Sequence, residues 1–205
     1  TRVHCCAIEP EGSRVFAVNI ALDRIFIYDT ENGALKLNQH LPYVQLEKGK
    51  GPRHLKFHPL QNYLYIITEY SNEIYAFVYE QEKGEPSLKL LQKISTLPEG
   101  FTGISYGSAL DISKDGRFLY AANRGANTIA VFEIHPDGTL TKIQDRDCLG
   151  NYPRHIALSK DDSGLMIANQ NSDEVVILKT DETNGMLTDV LARKAFYHPS
   201  YVEEL

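Results

Sequence analysis

The sequence predicts an all-β fold, a β-propeller of four-stranded antiparallel blades, with about four blades in the chain. Four segments follow one pattern, and their turn residues Pro10, Pro59, Lys114 and Lys160 recur at spacings of 49, 55 and 46 residues. Within each segment, short runs rich in β-branched and aromatic residues are separated by Gly, Asn, Asp and Pro, and no segment keeps a helical period. Repeats of about 40–50 residues with four strands each are typical of propeller blades.

Each repeat predicts the same order of elements: a short apolar strand, a polar turn, two further apolar strands joined by a tight polar turn, and a fourth, less apolar strand. Examples are the second strands Leu64–Thr68 and Phe118–Asn123, the third strands Ile74–Tyr79 and Thr128–Ile134, and the fourth strand Leu88–Ile94. Residues 97–107 form an extra loop. The blades of this single domain, residues 1–205, are expected at approximately 1–50, 51–105, 106–151 and 152–205.

Four blades close a ring only with an unusually sharp wedge angle, and the chain opens within a strand on Thr1. We therefore expect the chain to be the C-terminal portion of a larger propeller, because each blade needs neighbours to bury its faces. Exposed blade edges then predict self-association or contact with another chain.

Composition and charge exclude several function classes. A net charge of −6 and a pI near 5.6 give no electrostatic footprint for nucleic acid. No stretch approaches the roughly 18 apolar residues that a membrane span needs. The three cysteines, Cys5, Cys6 and Cys148, suit neither a disulfide framework nor a zinc site, and are interpreted as reduced core residues of a cytoplasmic protein.

Two sets of equivalent positions diverge between the repeats and predict a site. At the entry to the innermost strand the residues are His4, Arg53, Ser108 and Arg154, and just after the second strand they are Ile20, Glu69, Arg124 and Gln170. In an up-and-down blade both positions open onto the same face of the disc, so these side chains are expected to converge at the mouth of the central channel. Arginines suit carboxylate or phosphate ligands, whereas a carboxylate and an imidazole can move protons.

Other polar patterns are interpreted as structural. The pairs Asn19/Asp23, Thr68/Asn72, Asn123/Asn127 and Asn169/Asp173 occupy matching places, and short polar side chains at such offsets bond the backbone of tight turns. His54 and His58, four residues apart on a strand, lie roughly 13 Å apart and cannot share one ion. No metal site is predicted.

Several motifs resemble the lactonase family of seven-bladed propellers, which includes the propeller-type 6-phosphogluconolactonases and the fungal carboxymuconate lactonising enzyme. They are Gly51-Pro52-Arg53-His54, Phe57-His58-Pro59, Thr68-Glu69, Asn123-Arg124-Gly125 and Pro153-Arg154. The resemblance covers essentially the whole chain and implies a parent ring of seven blades. It places the family's site on His4, Arg53, Glu69 and Arg124. The family commonly has Pro-His-x-His where this chain reads Thr1-Arg2-Val3-His4, so only the last histidine is kept.

The resemblance implies a hydrolase that opens 6-phosphogluconolactone to 6-phosphogluconate, a cytoplasmic step of glucose metabolism in the pentose phosphate pathway. His4, Glu69, Arg53 and Arg124 are then the catalytic candidates, Arg154 and Gln170 the substrate-binding candidates, and no cofactor is needed. Either His4 or Glu69 is the base. The same arginines also suit a carboxymuconate-type cycloisomerase, and a non-catalytic binding platform is the alternative from another class.

Overall fold

The computed structural model describes residues 2–204, which form four consecutive antiparallel sheets. Blade 1 contains β1 (Val3–Ile8), β2 (Arg14–Asn19), β3 (Arg24–Glu31), β4 (Ala34–Leu37) and β5 (Tyr43–Gln45). Blade 2 contains β6 (Pro52–Phe57), β7 (Tyr63–Thr68), β8 (Glu73–Glu82) and β9 (Glu85–Ser95). Blade 3 contains β10 (Tyr106–Ile112), β11 (Phe118–Arg124), β12 (Thr128–Ile134) and β13 (Leu140–Asp147). Blade 4 contains β14 (Pro153–Leu158), β15 (Gly164–Asn169), β16 (Glu174–Thr180) and β17 (Leu187–Ala195).

The strands of blades 2, 3 and 4 pair in chain order, as in an up-and-down blade, and the predicted fold class is confirmed. A single turn of 3-10 helix, Gln170–Ser172, is the one helical segment within residues 2–204. The first strands β1, β6, β10 and β14 contact one another in that order, so they line the central channel side by side.

The hydrophobic core lies between the blades rather than within them. Phe16 and Ile27 of blade 1 pack against Leu64 of blade 2, and two further clusters of the same kind join blade 2 to blade 3 and blade 3 to blade 4. Full burial of one such side chain stabilises the fold by roughly 1.5–3 kcal/mol. Because a blade buries these residues only against its neighbour, the repeats depend on one another for stability.

The tight turns between the second and third strands confirm the structural interpretation of the Asn and Asp pattern. Asp23, Asn72, Asn127 and Asp173 all adopt left-handed backbone conformations, with φ between 51° and 55°. One of these residues also connects blade 1 to blade 2. The Asp23 carboxylate accepts hydrogen bonds from the backbone N–H groups of Gly49 and Gly51, which precede the first strand of blade 2.

Blade 1 departs from the predicted four strands, because its outer strand is broken into β4 and β5. β4 pairs with the C-terminal half of β3, and β5 pairs with its N-terminal half. The break occurs at Asn38, whose side-chain oxygen accepts hydrogen bonds from the backbone of His40 and Leu41. An Asx turn of this kind competes with continued strand pairing.

The cysteines only partly match their interpretation as core residues. Cys148 is buried, and burial raises the pKa of its thiol to about 12. Cys5 is half-buried and Cys6 is exposed, so the interpretation is wrong for Cys6. The cause is the alternation of side chains along β1: Cys5 packs against the core between blades 1 and 2, and Cys6 points away from it. All three thiols are free. No helix within residues 2–204 has the length and apolarity needed to cross a membrane.

Candidate functional site

A β-bulge interrupts each innermost strand where the first set of site candidates lies. Pairing with the second strand shifts between Val3 and Cys5 in blade 1, between Pro52 and His54 in blade 2, and between Pro153 and His155 in blade 4. The unpaired residues are therefore His4, Arg53 and Arg154. In blade 3 the shift falls between Gly107 and Leu110, around Ser108. A bulge re-aims its extra side chain, so this shared irregularity puts the candidates at one level of the channel.

The second set lies at the ends of the second strands, on the same face of the disc. Glu69 directly follows β7, Arg124 is the last residue of β11, and Gln170 follows β15. Backbone hydrogen bonds fix Glu69 at the boundary between blades 2 and 3. Its N–H donates to the carbonyl of Gly51 (2.7 Å), and its carbonyl accepts from Gly107 N–H (2.9 Å).

Glu69 lies between two buried arginines. Its Oε2 is 3.4 Å from Arg53 Nε, and its Oε1 is 3.4 Å from Arg124 Nη2. Arg53 Nη1 also donates to the carbonyl of Ser108, and Arg124 Nη2 donates to the carbonyl of Gly107 at 2.9 Å. The structure thus brings Arg53, Glu69 and Arg124 together as one cluster across the boundary between the two blades.

The arginines keep donor capacity that the described protein groups do not use. Within residues 2–204, the buried Nε atoms of Arg53 and Arg124 have no hydrogen-bond partner, because the 3.4 Å contact of Arg53 Nε with Glu69 is not aligned for one. The Glu69 side chain is 13% exposed, so its carboxylate is paired but not sealed from solvent. Buried guanidinium groups with unused N–H groups favour an additional acceptor.

Positive charge is in excess in the cluster formed by the arginines and Glu69. Burial, reinforced by the nearby charges of Arg124 and Arg154, lowers the pKa of Arg53 to about 9. Arg154 is half-buried and makes no ion pair with any residue that the structure describes. Arg53 and Arg124 thus share one carboxylate, and Arg154 pairs with none, so the three guanidinium groups and Glu69 carry two uncompensated positive charges. An anionic ligand would neutralise them.

Two tyrosines enclose Arg124 in addition to its polar contacts. The guanidinium carbon lies 5.8 Å from the ring centre of Tyr106 and 5.3 Å from that of Tyr152, within cation–π range. Tyr152 adopts a left-handed backbone with φ of 64°, which is uncommon for an aromatic residue. Asn127 holds this backbone by accepting a hydrogen bond from Tyr152 N–H at 2.9 Å.

A cavity of about 710 Å³ opens along the innermost strands, and its volume is in the range of small-molecule sites. His4, Arg53 and Arg154 line it, whereas Glu69, Arg124 and Gln170 do not. His4 is exposed, yet burial of part of its ring together with the charge of Arg53 lowers its pKa to about 4. At neutral pH the ring is therefore an uncharged proton acceptor.

Gln170 is not brought together with the other candidates. It opens the 3-10 turn, where its backbone N–H donates to Tyr152 and its carbonyl contacts the ring of His198 at 3.1 Å. Since its side chain does not line the cavity, its expected substrate contact has no structural support.

Two lining residues, His54 and His155, were missed by the sequence analysis, which weighed His54 only as a metal partner of His58. The tripeptide Pro-Arg-His occurs at equivalent places in blades 2 and 4, at residues 52–54 and 153–155, and this repetition was the available signal. His58 instead caps a turn, accepting hydrogen bonds from Leu60 and Gln61. Among residues 2–204, no three His, Cys, Asp or Glu side chains are arranged to hold a metal ion.

Comparison with known proteins agrees with this architecture. A sequence model described as lactonase, 7-bladed beta-propeller, matches residues 1–203. The chain belongs to this lactonase family. The resemblance stated from the motifs is therefore confirmed.

Several of the proteins to which the chain is similar are named as lactonases. The chain is 35% identical to a 6-phosphogluconolactonase of Bacillus subtilis, over 90% of this chain and 52% of that protein. It is 27% identical to a 6-phosphogluconolactonase of Klebsiella pneumoniae, over 90% and 55%. The structure of a periplasmic gluconolactonase of Pseudomonas aeruginosa superposes with a TM-score of 0.89 at 30% identity, over 97% of this chain and 55% of that one. The chain thus spans about half the length of the relatives it matches.

Proposed function

We propose that the chain belongs to an enzyme that hydrolyses a sugar lactone, with 6-phosphogluconolactone as substrate and 6-phosphogluconate as product. The relatives' names support the reaction class. The structural observation that carries the proposal is the arginine cluster beside the cavity. Arg53 and Arg124 share the carboxylate of Glu69, and Arg154 has no ion pair among the described residues. The phosphate of a phosphorylated lactone would compensate the positive charge of the arginines. The lactone ester opens through an oxyanion, which the positive charge of the arginines also stabilises.

In this scheme His4 is the base. It lines the cavity in its neutral form, and as a general base it removes a proton from the attacking water. The water oxygen bonds to the lactone carbonyl carbon, and the carbonyl oxygen takes up the negative charge. When the bond from that carbon to the ring oxygen breaks, protonated His4 returns the proton to the departing oxygen. The ring opens to a hydroxy acid, and no metal or cofactor is consumed.

The arginines divide into two roles. Arg53 and Arg154 line the cavity. In the proposed scheme Arg53 stabilises the oxyanion and Arg154 binds the phosphate. Arg124 does not line the cavity, and we assign it a positioning role. It shares Glu69 with Arg53, and in the proposed scheme Glu69 holds the guanidinium of Arg53 in place. The carboxylate is engaged by both arginines, which makes Glu69 the less suitable base.

An assay with two substrates tests the proposal. Hydrolysis of 6-phosphogluconolactone is monitored through oxidation of the product by an excess of 6-phosphogluconate dehydrogenase, and the rate without protein is subtracted. The chain and a version extended by any further blades that its gene encodes are both measured. Acceleration with this lactone supports the proposal, and activity only on a carboxymuconate lactone favours the cycloisomerase. No acceleration of either reaction, with both lactones bound, would indicate a binding platform.

The compartment is also a proposal. Three free cysteines favour a reducing cytoplasm, although the relative from Pseudomonas is described as periplasmic. Self-association through exposed edges is proposed for β17, most of whose residues are exposed.

A further inference from the structure

Next to the arginines, a row of aromatic rings crosses the cavity wall. The ring centres of His4 and His54 are 5.2 Å apart, those of His54 and His155 are 5.7 Å apart, and those of His155 and Tyr201 are 4.2 Å apart. All four side chains line the cavity. The row therefore spans blades 1, 2 and 4 and ends on the C-terminal segment.

The bulges explain why an arginine and the histidine beside it can share one cavity. In a regular strand successive side chains point to opposite faces. Arg53 and Arg154 are the extra residues of their bulges, and each is followed by a histidine that also lines the cavity. Two adjacent side chains per strand thus face the same space, a guanidinium beside an imidazole.

The histidines of this row offer free hydrogen-bonding nitrogens. Within residues 2–204, the histidine rings that accept or donate hydrogen bonds are His58, His135, His155 and His198. His4 and His54 have none. Burial, with Arg53 as the next cause, lowers the pKa of His54, so its ring is neutral at pH 7 and can both donate and accept.

The C-terminal segment fixes the tautomer of His155. Val202 N–H donates to His155 Nδ1 at 3.4 Å, and Tyr201 packs on the ring. A nitrogen that accepts a hydrogen bond carries no proton, so in the neutral ring the proton is on Nε2. Burial lowers the pKa of His155 to about 4, which keeps the ring neutral. His155 is thus a donor held in place by the chain terminus.

We propose that His54 and His155 form a subsite for the hydroxyl groups of a polyhydroxy acid or its lactone, next to the arginines that bind the anionic group. Neutral imidazoles with free nitrogens suit hydroxyl groups, which donate and accept. The cavity, at about 710 Å³, has space for a sugar body besides a phosphate. Tyr201 is a positioning residue that acts through His155. This inference rests on the proposed function for its ligand class.

Nuclear magnetic resonance of the histidine rings tests the subsite without requiring turnover. The ring C–H signals of all seven histidines are assigned at pH 7.0, and the protein is titrated with 6-phosphogluconate, with gluconate and with inorganic phosphate. We expect 6-phosphogluconate to shift the signals of His54 and His155 at saturation. Inorganic phosphate should shift arginine side-chain signals and leave His155 in place. The signals of His40 and His135, which lie outside the cavity, are internal controls.

Variants separate the subsite from the anion site. His54→Gln and His155→Gln should each weaken 6-phosphogluconate binding by about fivefold, the loss expected for one or two hydrogen bonds, and leave phosphate binding within about twofold. Tyr201→Ala should weaken binding less than His155→Gln, and should add nothing in the double variant. His40→Gln is the matched control. The dispersion of the amide spectrum shows whether each variant is folded.

Distinct results overturn the inference and the proposed function. If 6-phosphogluconate shifts neither His54 nor His155, or if it shifts them no differently from inorganic phosphate, the subsite does not exist. The same holds if none of the three probes binds at millimolar concentration. If the signals of both histidines shift but no lactone is hydrolysed, the result supports the subsite and contradicts the proposed lactonase function.

Discussion

Arg124 of blade 3 reaches across the blade boundary to within 3.4 Å of the Glu69 carboxylate of blade 2. The two residues come from different repeats, and each follows or ends the second strand of its own blade. The cluster therefore exists only when blades 2 and 3 are packed together. A change that weakens the packing of blades 2 and 3 should therefore also change the geometry of the cluster.

Replacing Glu69 by glutamine is expected to lower the free energy of unfolding. The variant leaves Arg53 and Arg124 buried side by side without a counter-charge, and breaking a buried pair in this way costs roughly 3 kcal/mol. Denaturant unfolding measures the change. Glu80→Gln is the matched control, because the Glu80–Lys89 pair is solvent-exposed and contributes little. Equal unfolding midpoints for the two variants would contradict a stabilising role of Glu69.

Alanine at Gly107 is expected to separate blades 2 and 3 next to the site. A Cβ at this position would lie 2.3 Å from the carbonyl oxygen of Thr68, a backbone atom that cannot move alone. Gly107 N–H also donates to the carbonyl of Glu69, so the ion pairs should be disturbed as well. Because Glu69 pairs with Arg53, one of the two arginines that line the cavity, we expect a lower melting temperature together with weaker binding of inorganic phosphate. Differential scanning fluorimetry with and without phosphate measures both.

Gly164→Ala is the control for this variant. Gly164 also lies in a strand, and a Cβ there meets side-chain atoms of Ile177 at 3.1 Å. It should cost less stability and leave phosphate binding unchanged. Loss of phosphate binding in both variants would show that general destabilisation, not the geometry at Glu69, is the cause.

Stability is expected to fall with pH below neutrality in part because of His155. Burial lowers its pKa from 6.5 to about 4 in the folded protein, so the fold favours the neutral ring. As the pH falls, His155 is protonated at a higher pH in the unfolded chain than in the folded protein. The stability that the neutral ring contributes is therefore complete above pH 6.5 and lost as the pH falls to about 4. His155→Gln should therefore lose less stability than the wild type between pH 7 and pH 4.5.

Denaturant midpoints of both proteins across this range measure the difference. Carboxylates also titrate near the lower end of this pH range and affect both proteins. The effect of His155 is therefore the difference between the midpoints of the wild type and the variant. His40→Gln, at an exposed position, should follow the wild-type curve. Parallel curves for the wild type and His155→Gln would contradict burial of a neutral ring.

The sequence predicts the blades well because the information is local and repeated. Thr128–Ile134 is a strand with the predicted bounds, and Phe118–Asn123 is extended only by Arg124. The break in the outer strand of blade 1 depends on one side chain, Asn38, which the repeat comparison does not register. Local pattern fixes strands and turns, and single polar side chains decide where strands end.

The grouping of residues at the candidate site was predicted in part. Comparing the repeats indicated Arg53, Glu69 and Arg124, because those positions differ between blades while the surrounding pattern does not. It did not indicate His54 or His155. In a regular strand each would point away from the arginine before it, and only the bulges turn both side chains toward the cavity. The bulges follow from pairing with the second strand, which the sequence does not show.

The most direct test of the central claim compares the hydrolysis rate of 6-phosphogluconolactone by the wild type, Arg53→Ala and Arg117→Ala. Arg53 lines the cavity and stabilises the oxyanion in the proposed scheme, and losing one such donor costs about 2.7–4 kcal/mol in the barrier. We predict a turnover at least about a hundredfold lower for Arg53→Ala, and an unchanged rate for Arg117→Ala, whose side chain is exposed and paired with Asp115. A change below about threefold for a folded Arg53→Ala would contradict the account, because it is far smaller than an oxyanion donor contributes.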